Sequence, residues 1–327
     1  MLTRLAAALL PLLLVLVSCS RESTITETRI ALGTYVKVTV VAGRGKEDAA
    51  RRAVESGYRL VERFERVFDH RSEEGGLARF NRGTVLRRES DPLLFSLLQD
   101  SLRYARLTGG SFDPTVLPVI RAWGFDTGNP SVPGPRELER ALERVGYGQV
   151  VMTDEELRKP GQVTLDLSGV AKGKIVDLLR DHLQERGFLS MLIDAGGDIY
   201  AGGTRPGNQP WRVAIQDPEH RNRYWGVLAV HDRAVVTSGD YERFFTAGGR
   251  RYSHLINPRT GYPDSDCRSV TVLSEDTAFG DAVATAVFVM GRERGLQFLR
   301  EQGIPGLILY EGDGGETESI STPGFWD

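Results

Sequence analysis

The sequence predicts a mixed α/β or α+β fold, and three observations carry that expectation. Strand-like and helix-like stretches follow one another without a strict βαβ repeat. The first half holds two long helical patterns, whereas the second is dense in short apolar strands. The composition is that of a globular protein: 40% of the 327 residues are hydrophobic and 26% are charged. The length allows one large domain or two lobes with ample core. A net charge of −3 supplies no chain-wide basic field, which argues against nucleic acid as a partner.

The N-terminus reads MLTRLAAALLPLLLVLVSCS, with Arg4 ahead of an apolar run from Leu5 to Val17. The run is short and contains Pro11, so it reads as a signal rather than a permanent span. It ends in Leu16-Val17-Ser18-Cys19, which resembles a bacterial lipobox. Residues 1–18 are therefore expected to be a lipoprotein signal peptide, and residues 19–28 a lipidated Cys19 followed by a polar tether. The alternative is an ordinary secretory signal with a chance cysteine. Cys267 is the other cysteine, so lipidation of Cys19 leaves no intrachain disulfide.

Residues Ile30 to Val41 alternate like a half-buried strand interrupted at Gly33-Thr34. Lys46 to Phe68 carries apolar residues at helical spacing, and a loop follows to Asn81. A second helix is expected over Pro92–Leu107, opened by Ser90 or Asp91 and closed by Gly109-Gly110. Residues 136–145 form a short charged helix. Residues 163–167 read as a strand entering a helix that runs from Gly169 to Gly187. Short strands are expected at 191–193, 211–215, 225–230, 234–237, 252–256, 269–273 and 306–310. Among them lies an apolar, small-residue helix from Ser274 to Gly291, with Ser274 or Asp276 as N-cap, and a charged helix follows from Arg292 to Gln302. Residues 313–327 read as a polar tail packed at the surface.

Five constellations could carry chemistry. Asp281 and Thr285 stand four apart on the small-residue helix, so both share one face. Two hard oxygen ligands suit Mg²⁺ rather than zinc, although Asp and Thr are also ordinary polar residues of a helix. Asp166-Leu-Ser-Gly-Val-Ala-Lys172 joins a carboxylate, a glycine turn and a lysine at a helix start, which suits an anion. It is not a Walker A loop, and a plain helix start with an exposed lysine fits equally. Asp194-Ala-Gly-Gly-Asp198 reads as a hairpin turn or a close backbone approach to a ligand. His254 lies in Arg251-Tyr-Ser-His-Leu-Ile-Asn-Pro and is one of five histidines, so candidates for a general base are few. A single strand histidine is more often structural. Ser111, Phe112 and Asp113 sit in a Gly- and Pro-rich turn where Phe112 could pack against a flat ring.

The order of these segments is more telling than any one of them. Gly-Thr after the first strand, GGSFDPTV, LDLSGVAKG, DAGGDI, TSGDYER, RYSHLINPRTGYP and DAVAT follow one another between about residues 29 and 310. In this the chain resembles the FAD:protein FMN transferase family, the ApbE-type flavin transferases. The resemblance implies a two-lobed fold with FAD bound in the cleft between lobes, here as a transferase domain over residues 29–312. It also implies Mg²⁺-dependent transfer of FMN from FAD to a Thr or Ser hydroxyl of an acceptor flavoprotein subunit of an electron-transfer complex, with release of AMP. A cell-envelope location, lipid-anchored and facing the periplasm, agrees with Cys19.

By position, Asp281, Thr285 and the main chain of Gly169 match metal ligands, and His254 matches the base for the acceptor hydroxyl. Leu32, Ser111, Phe112, Asp113, Asp166, Lys172 and Leu255 match FAD-contacting positions. The chain departs from the pattern in the loop 68–81, where an aromatic residue and a later Ser are replaced by Arg71 and Gly75. Arg71 could stack on the isoalloxazine through its planar guanidinium. Two other activities remain open at this level: an FAD pyrophosphatase, and a non-catalytic FAD-binding lipoprotein. Asp281, Thr285 and His254 argue against the binder, since storage needs neither metal nor base.

Overall fold

An eight-stranded antiparallel sheet organises the computed structural model, which describes residues 22–220, 222–263 and 265–327. The apolar leader and Cys19 lie outside the described residues. The chain opens with a hairpin of β1 (Ser23–Ala31) and β2 (Thr34–Ala42). Its two-residue turn puts both Leu32 and Gly33 at positive φ, 58° and 69°, as a tight hairpin requires. Helix α1 (Glu47–Phe68) follows and buries Ala50, Val54, Tyr58 and Val61. Next come α2 (Gly76–Arg82), β3 (Val85–Arg87) and α3 (Pro92–Leu107). Asp91 caps α3 by accepting from the Leu94 N–H at 3.1 Å, with Pro92 at the first helical position.

Short helices α4 (Leu117–Ala122) and α5 (Pro135–Leu142) precede β4 (Val151–Met152) and β5 (Glu156–Arg158). Helix α6 (Ser168–Gln184) leads into the hairpin β6 (Met191–Ala195) and β7 (Asp198–Gly202). Hairpin β8 (Trp211–Gln216) and β9 (Tyr224–Val230), then β10 (Arg233–Gly239), β11 (Phe244–Ala247) and β12 (Arg250–Ser253), follow. The chain ends with β13 (Cys267–Ser274), α7 (Thr277–Met290), α8 (Arg292–Glu301), β14 (Gly306–Glu311) and β15 (Thr317–Ser321).

The large sheet runs β1-β2-β6-β7-β10-β13-β14-β15. Alternation along each strand sends side chains to opposite faces. Val236 and Val272 join the core under α1, α6 and α7, while Val235 and Leu273 join a second core under the β8–β9 hairpin. A third, smaller cluster gathers Trp123, Leu138 and Ile256 with Phe245, Tyr252 and Tyr262 at its edge. Trp123 is wholly buried and its indole N–H donates to the Gly261 carbonyl at 2.7 Å. Among the described residues no helix is long and apolar enough to cross a membrane.

Helices α6 and α7 touch closely. A Cβ at Gly173 would lie 2.5 Å from the Thr277 carbonyl oxygen, so only glycine permits this approach. The start of α7 is capped from α6: the Asp177 carboxylate accepts from the Thr277 and Ala278 N–H groups at 2.8 and 2.9 Å. Asp276 holds the N-cap position but its side chain makes no cap bond, and Ser274 donates to the Asp276 carbonyl instead.

The structure corrects four local expectations. Residues 163–167 form no strand, because the Asn81 side-chain amide takes the place of a ladder partner, bonding Leu165 N–H and C=O at 2.8 Å each. The expected tail 313–327 contributes β15, paired with β14 on the sheet edge, and buries Phe325. The expected tether 19–28 gives Ser23 onward to β1, since its polar alternation suits an edge strand. His254 lies one residue beyond β12 rather than within a strand.

Candidate functional site

A cavity of about 420 Å³ opens between the helical side of the large sheet and the Trp123 cluster. Its wall draws on the β1–β2 turn, the loop after α1, the turn after α3, the start of α6, α7 and the segment after β12. These pieces are distant in sequence, and the sheet brings them to one rim.

Asp281 and Thr285 both line this cavity from α7, as their spacing requires. The Asp281 carboxylate accepts from the Gly173 N–H at 3.2 Å, and the Thr285 hydroxyl lies 3.3 Å from the Ser238 hydroxyl. Gly169 sits against them: a Cβ there would be 3.4 Å from the Thr285 hydroxyl and 3.4 Å from the Phe112 ring. Its backbone, at φ −87° and ψ 17°, breaks the helical path of α6.

Lys172 reaches the same corner from α6. Its ammonium pairs at 2.5 Å with Asp198, a fully buried carboxylate from the turn end of β7. Burial opposes the lysine charge, but Asp198 and Asp281 more than offset it and raise its pKa. Desolvation pushes both carboxyl groups upward despite the lysine, and the charge of Asp281 adds to the rise at Asp198. One ammonium thus faces two buried carboxylates, and Asp198 Oδ1 has no hydrogen-bond partner among the described residues. This corner gathers hard oxygen donors around a single ammonium. No group of three or more His, Cys, Asp or Glu side chains gathers as a metal cage among the described residues.

His254 stands across the cleft. Its Nδ1 lies 3.1 Å from the Arg243 carbonyl oxygen, and its backbone N–H donates to the same oxygen at 3.0 Å. That carbonyl can only accept, so Nδ1 carries the proton and Nε2 keeps its lone pair. Desolvation, aided by the charges of Arg243 and Lys172, pushes its pKa down to about 4. The ring is therefore a neutral base at ordinary pH.

Known proteins resemble the chain in both sequence and fold. The sequence model of the ApbE family matches residues 32–308. The FAD:protein FMN transferase of Vibrio cholerae is 32% identical over 301 residues, 89% of each chain. That of Treponema pallidum is 31% identical, over 90% of this chain and 87% of its own. The chain belongs to the ApbE family. Among solved structures, the flavin transferase ApbE from V. cholerae superposes with a TM-score of 0.84 at 29% identity, covering 93% of this chain and 98% of its own. The ApbE protein from Thermotoga maritima gives 0.83 at 32% identity, over 90% and 96%.

The residues of this ApbE chain expected to bind metal or FAD or to act as base all line the one cleft: Leu32, Arg71, Ser111, Phe112, Asp113, Asp166, Gly169, Lys172, His254, Leu255, Asp281 and Thr285. Several are committed to neighbours. Asp113 accepts from the Thr115 N–H and hydroxyl at 2.8 and 2.6 Å and from the Tyr147 N–H at 2.9 Å, building its own turn. Burial still raises its pKa above the usual carboxylate range. The Arg71 guanidinium is turned onto Asp69, at 3.0 Å, rather than left open to a flavin ring. Leu32 holds its left-handed backbone with its N–H donating to Glu65 at 2.9 Å.

Two residues were missed. Asp198 was read as part of a hairpin turn or a close backbone approach to a ligand, and nothing in a Gly-Gly-Asp turn announces a buried ion pair. His70 was passed over inside the loop after α1, yet it lines the cleft and lies 3.1 Å from Asp166. The only available signal was the scarcity of histidine.

Proposed function

We propose that the chain transfers FMN from FAD to a Thr or Ser hydroxyl of an acceptor protein and releases AMP. The observation that carries this reading is one cleft holding an Asp281–Thr285 pair, Lys172 beside them, and a neutral histidine with a free Nε2. The relatives in V. cholerae and T. pallidum bear the name of that reaction. The acceptor is expected to be a flavin-carrying subunit of an electron-transfer complex.

The oxygen donors fit Mg²⁺, which is commonly bound through one or two carboxylates and substrate phosphates rather than a full protein cage. The Asp281 carboxylate, the Thr285 hydroxyl and the Gly169 carbonyl would hold it, and it would offset negative charge on the FAD pyrophosphate. Lys172 supplies a fixed positive charge beside the same phosphates, locked in place by Asp198. His254 Nε2 accepts the proton of the acceptor hydroxyl. The hydroxyl oxygen bonds to the FMN phosphorus as the phosphorus–oxygen bond to AMP breaks, and AMP leaves with the electron pair. The Arg243 carbonyl keeps the ring in the required tautomer and shares the positive charge it gains.

The test is to incubate residues 21–327 with FAD, Mg²⁺ and a candidate acceptor, then weigh the acceptor and assay AMP. A mass gain of one FMN with matching AMP is expected. AMP without mass gain would make the chain an FAD pyrophosphatase, and bound FAD with neither product would leave only a binder. Lipid attachment at Cys19, holding the chain to the bacterial envelope on the periplasmic side, is proposed from the Leu-Val-Ser-Cys end of the apolar run. Cys19→Ala is expected to move the protein from membrane to soluble fractions, and continued membrane retention would remove the anchor.

A further inference from the structure

Two histidines lie in the cleft, and the base accounts for one. The other, His70, follows the end of α1. Its loop is fixed by Asp69, whose carboxylate accepts from the Arg71 N–H at 2.9 Å and from the Arg71 guanidinium at 3.0 Å. This turn directs the His70 ring onto Asp166, with Nδ1 at 3.1 Å from Oδ1. The other Asp166 oxygen accepts from the Ser168 N–H at 3.2 Å and from the Ser168 hydroxyl. Both oxygens of Asp166 are therefore used inside the protein. Burial works against the charge of Asp166, but these bonds more than offset it and hold its carboxyl below the usual range. An ionised Asp166 can only accept, so Nδ1 of His70 carries a proton, and in the neutral ring Nε2 keeps the lone pair.

That Nε2 is closed off from solvent and has no hydrogen-bond partner among the described residues. The ring is nine-tenths buried, with 10% of its side chain exposed, and lines the cleft. A structural histidine in the same molecule shows the contrast. His182 Nε2 lies 2.8 Å from the Ser56 hydroxyl and 3.1 Å from the Ala53 carbonyl, satisfied within the α1–α6 contact. A buried acceptor left open beside a ligand cavity is costly to the free protein unless a ligand completes it.

We infer that His70 is a substrate-binding residue, its Nε2 receiving a hydrogen bond from an N–H or O–H group of FAD, with Asp166 and Ser168 as the residues that position it. The inference rests on the cleft being an FAD site. The donors on FAD are the flavin ring N–H, the adenine amino group and the sugar and ribityl hydroxyls.

Two substitutions separate the contacts of the ring. An asparagine side chain reaches as far as Nδ1 and keeps the bond to Asp166; a glutamine reaches as far as Nε2. Affinities for FAD, FMN and AMP without Mg²⁺ are measured by flavin fluorescence and calorimetry for the wild type, His70→Asn and His70→Gln. His70→Asn is expected to weaken FAD binding about tenfold, the factor of one lost buried hydrogen bond. The same loss appears for FMN or for AMP, whichever half carries the donor, and His70→Gln recovers most of it. Unchanged affinity in His70→Asn, or equal weakening in both variants, would overturn the inference. Should His70→Asn not fold, the ¹⁵N resonance of His70 Nε2 in the wild type, assigned with His70→Gln, is expected to shift on adding FMN or AMP. No shift with either would sink the contact. A wild type that binds no FAD would instead overturn the FAD reading, and this contact with it.

Discussion

The two faces of the large sheet are covered in opposite ways. On one, the β8–β9 hairpin lays Trp211, Val213, Ile215 and Leu228 over Val235, Leu273 and Leu307, an apolar layer throughout. On the other, α6 and α7 bring Lys172 and Asp281 down to Asp198, an ammonium and two carboxyl groups on the side whose core includes Val236, Ala282 and Ala286. Burying apolar area stabilises at roughly 25 cal/mol per Å². Burying two carboxylates against one ammonium costs stability. The same strands serve both faces, so the rigid apolar side can hold the charged side in a geometry it would not adopt alone. The difference teaches where function sits: on the face that carries unfavourable charge, next to the cleft.

Opposite outcomes are expected for truncation on the two faces. The largest effect on turnover is expected for Asp281→Ala, a loss of about 10²–10³-fold, the range for removing one electrostatic element of a transition-state site. Its thermal midpoint is expected to stay level or rise, because burial disfavours this carboxylate and Lys172 keeps Asp198 as its partner. Unchanged AMP release would take Asp281 out of the site, and a collapse of stability would erase the contrast between the faces.

His254→Gln comes next, with an expected loss of about 10²-fold for a missing general base. The pH profile sharpens it. The base is active when deprotonated, and desolvation holds its pKa near 4. At saturating Mg²⁺, kcat/KM is expected to stay level from about pH 8 to about pH 5 and to fall only below that. A midpoint near 6.5 would mean the ring is hydrated in solution. Stability moves the same way. The folded pKa lies below the unfolded one, so the unfolded chain takes up the proton first, and stability is lost as pH falls from about 6.5 toward 4.

The smallest effect on turnover is expected on the hairpin face. Leu228→Ala removes a buried side chain, and a loss of about 2–5 kcal/mol is expected by chemical denaturation with kcat unchanged. A drop in kcat at full folding would show that the two faces are coupled.

Local chemistry explains what was legible. Asp91-Pro92 marked the start of α3, and the spacing of Asp281 and Thr285 placed both on the cleft side of α7. The hairpin turn at Gly196-Gly197 was also readable, with both glycines at positive φ. Residues 163–167 were not, because a strand pattern needs a ladder partner and this segment finds the Asn81 amide instead. The 313–327 segment looked like a tail because its edge strand is polar, and only pairing with β14 makes it structure. The N-cap position of α7 at Asp276 was readable, but the carboxylate that serves it was not, because Asp177 lies on another helix.

The sequence by itself determined the class of fold, the family and the residue types of the cleft, because these rest on periodicity and on ordered local motifs. Tertiary structure alone decided which of those side chains remain free to act. Asp113 and Asp166 turned out to be spent on internal bonds, Lys172 is held by Asp198, and His70 and His254 are left with open nitrogens. Hydrogen-bond capacity is finite, and whether a polar atom is already satisfied depends on neighbours that only the folded chain brings within about 3 Å.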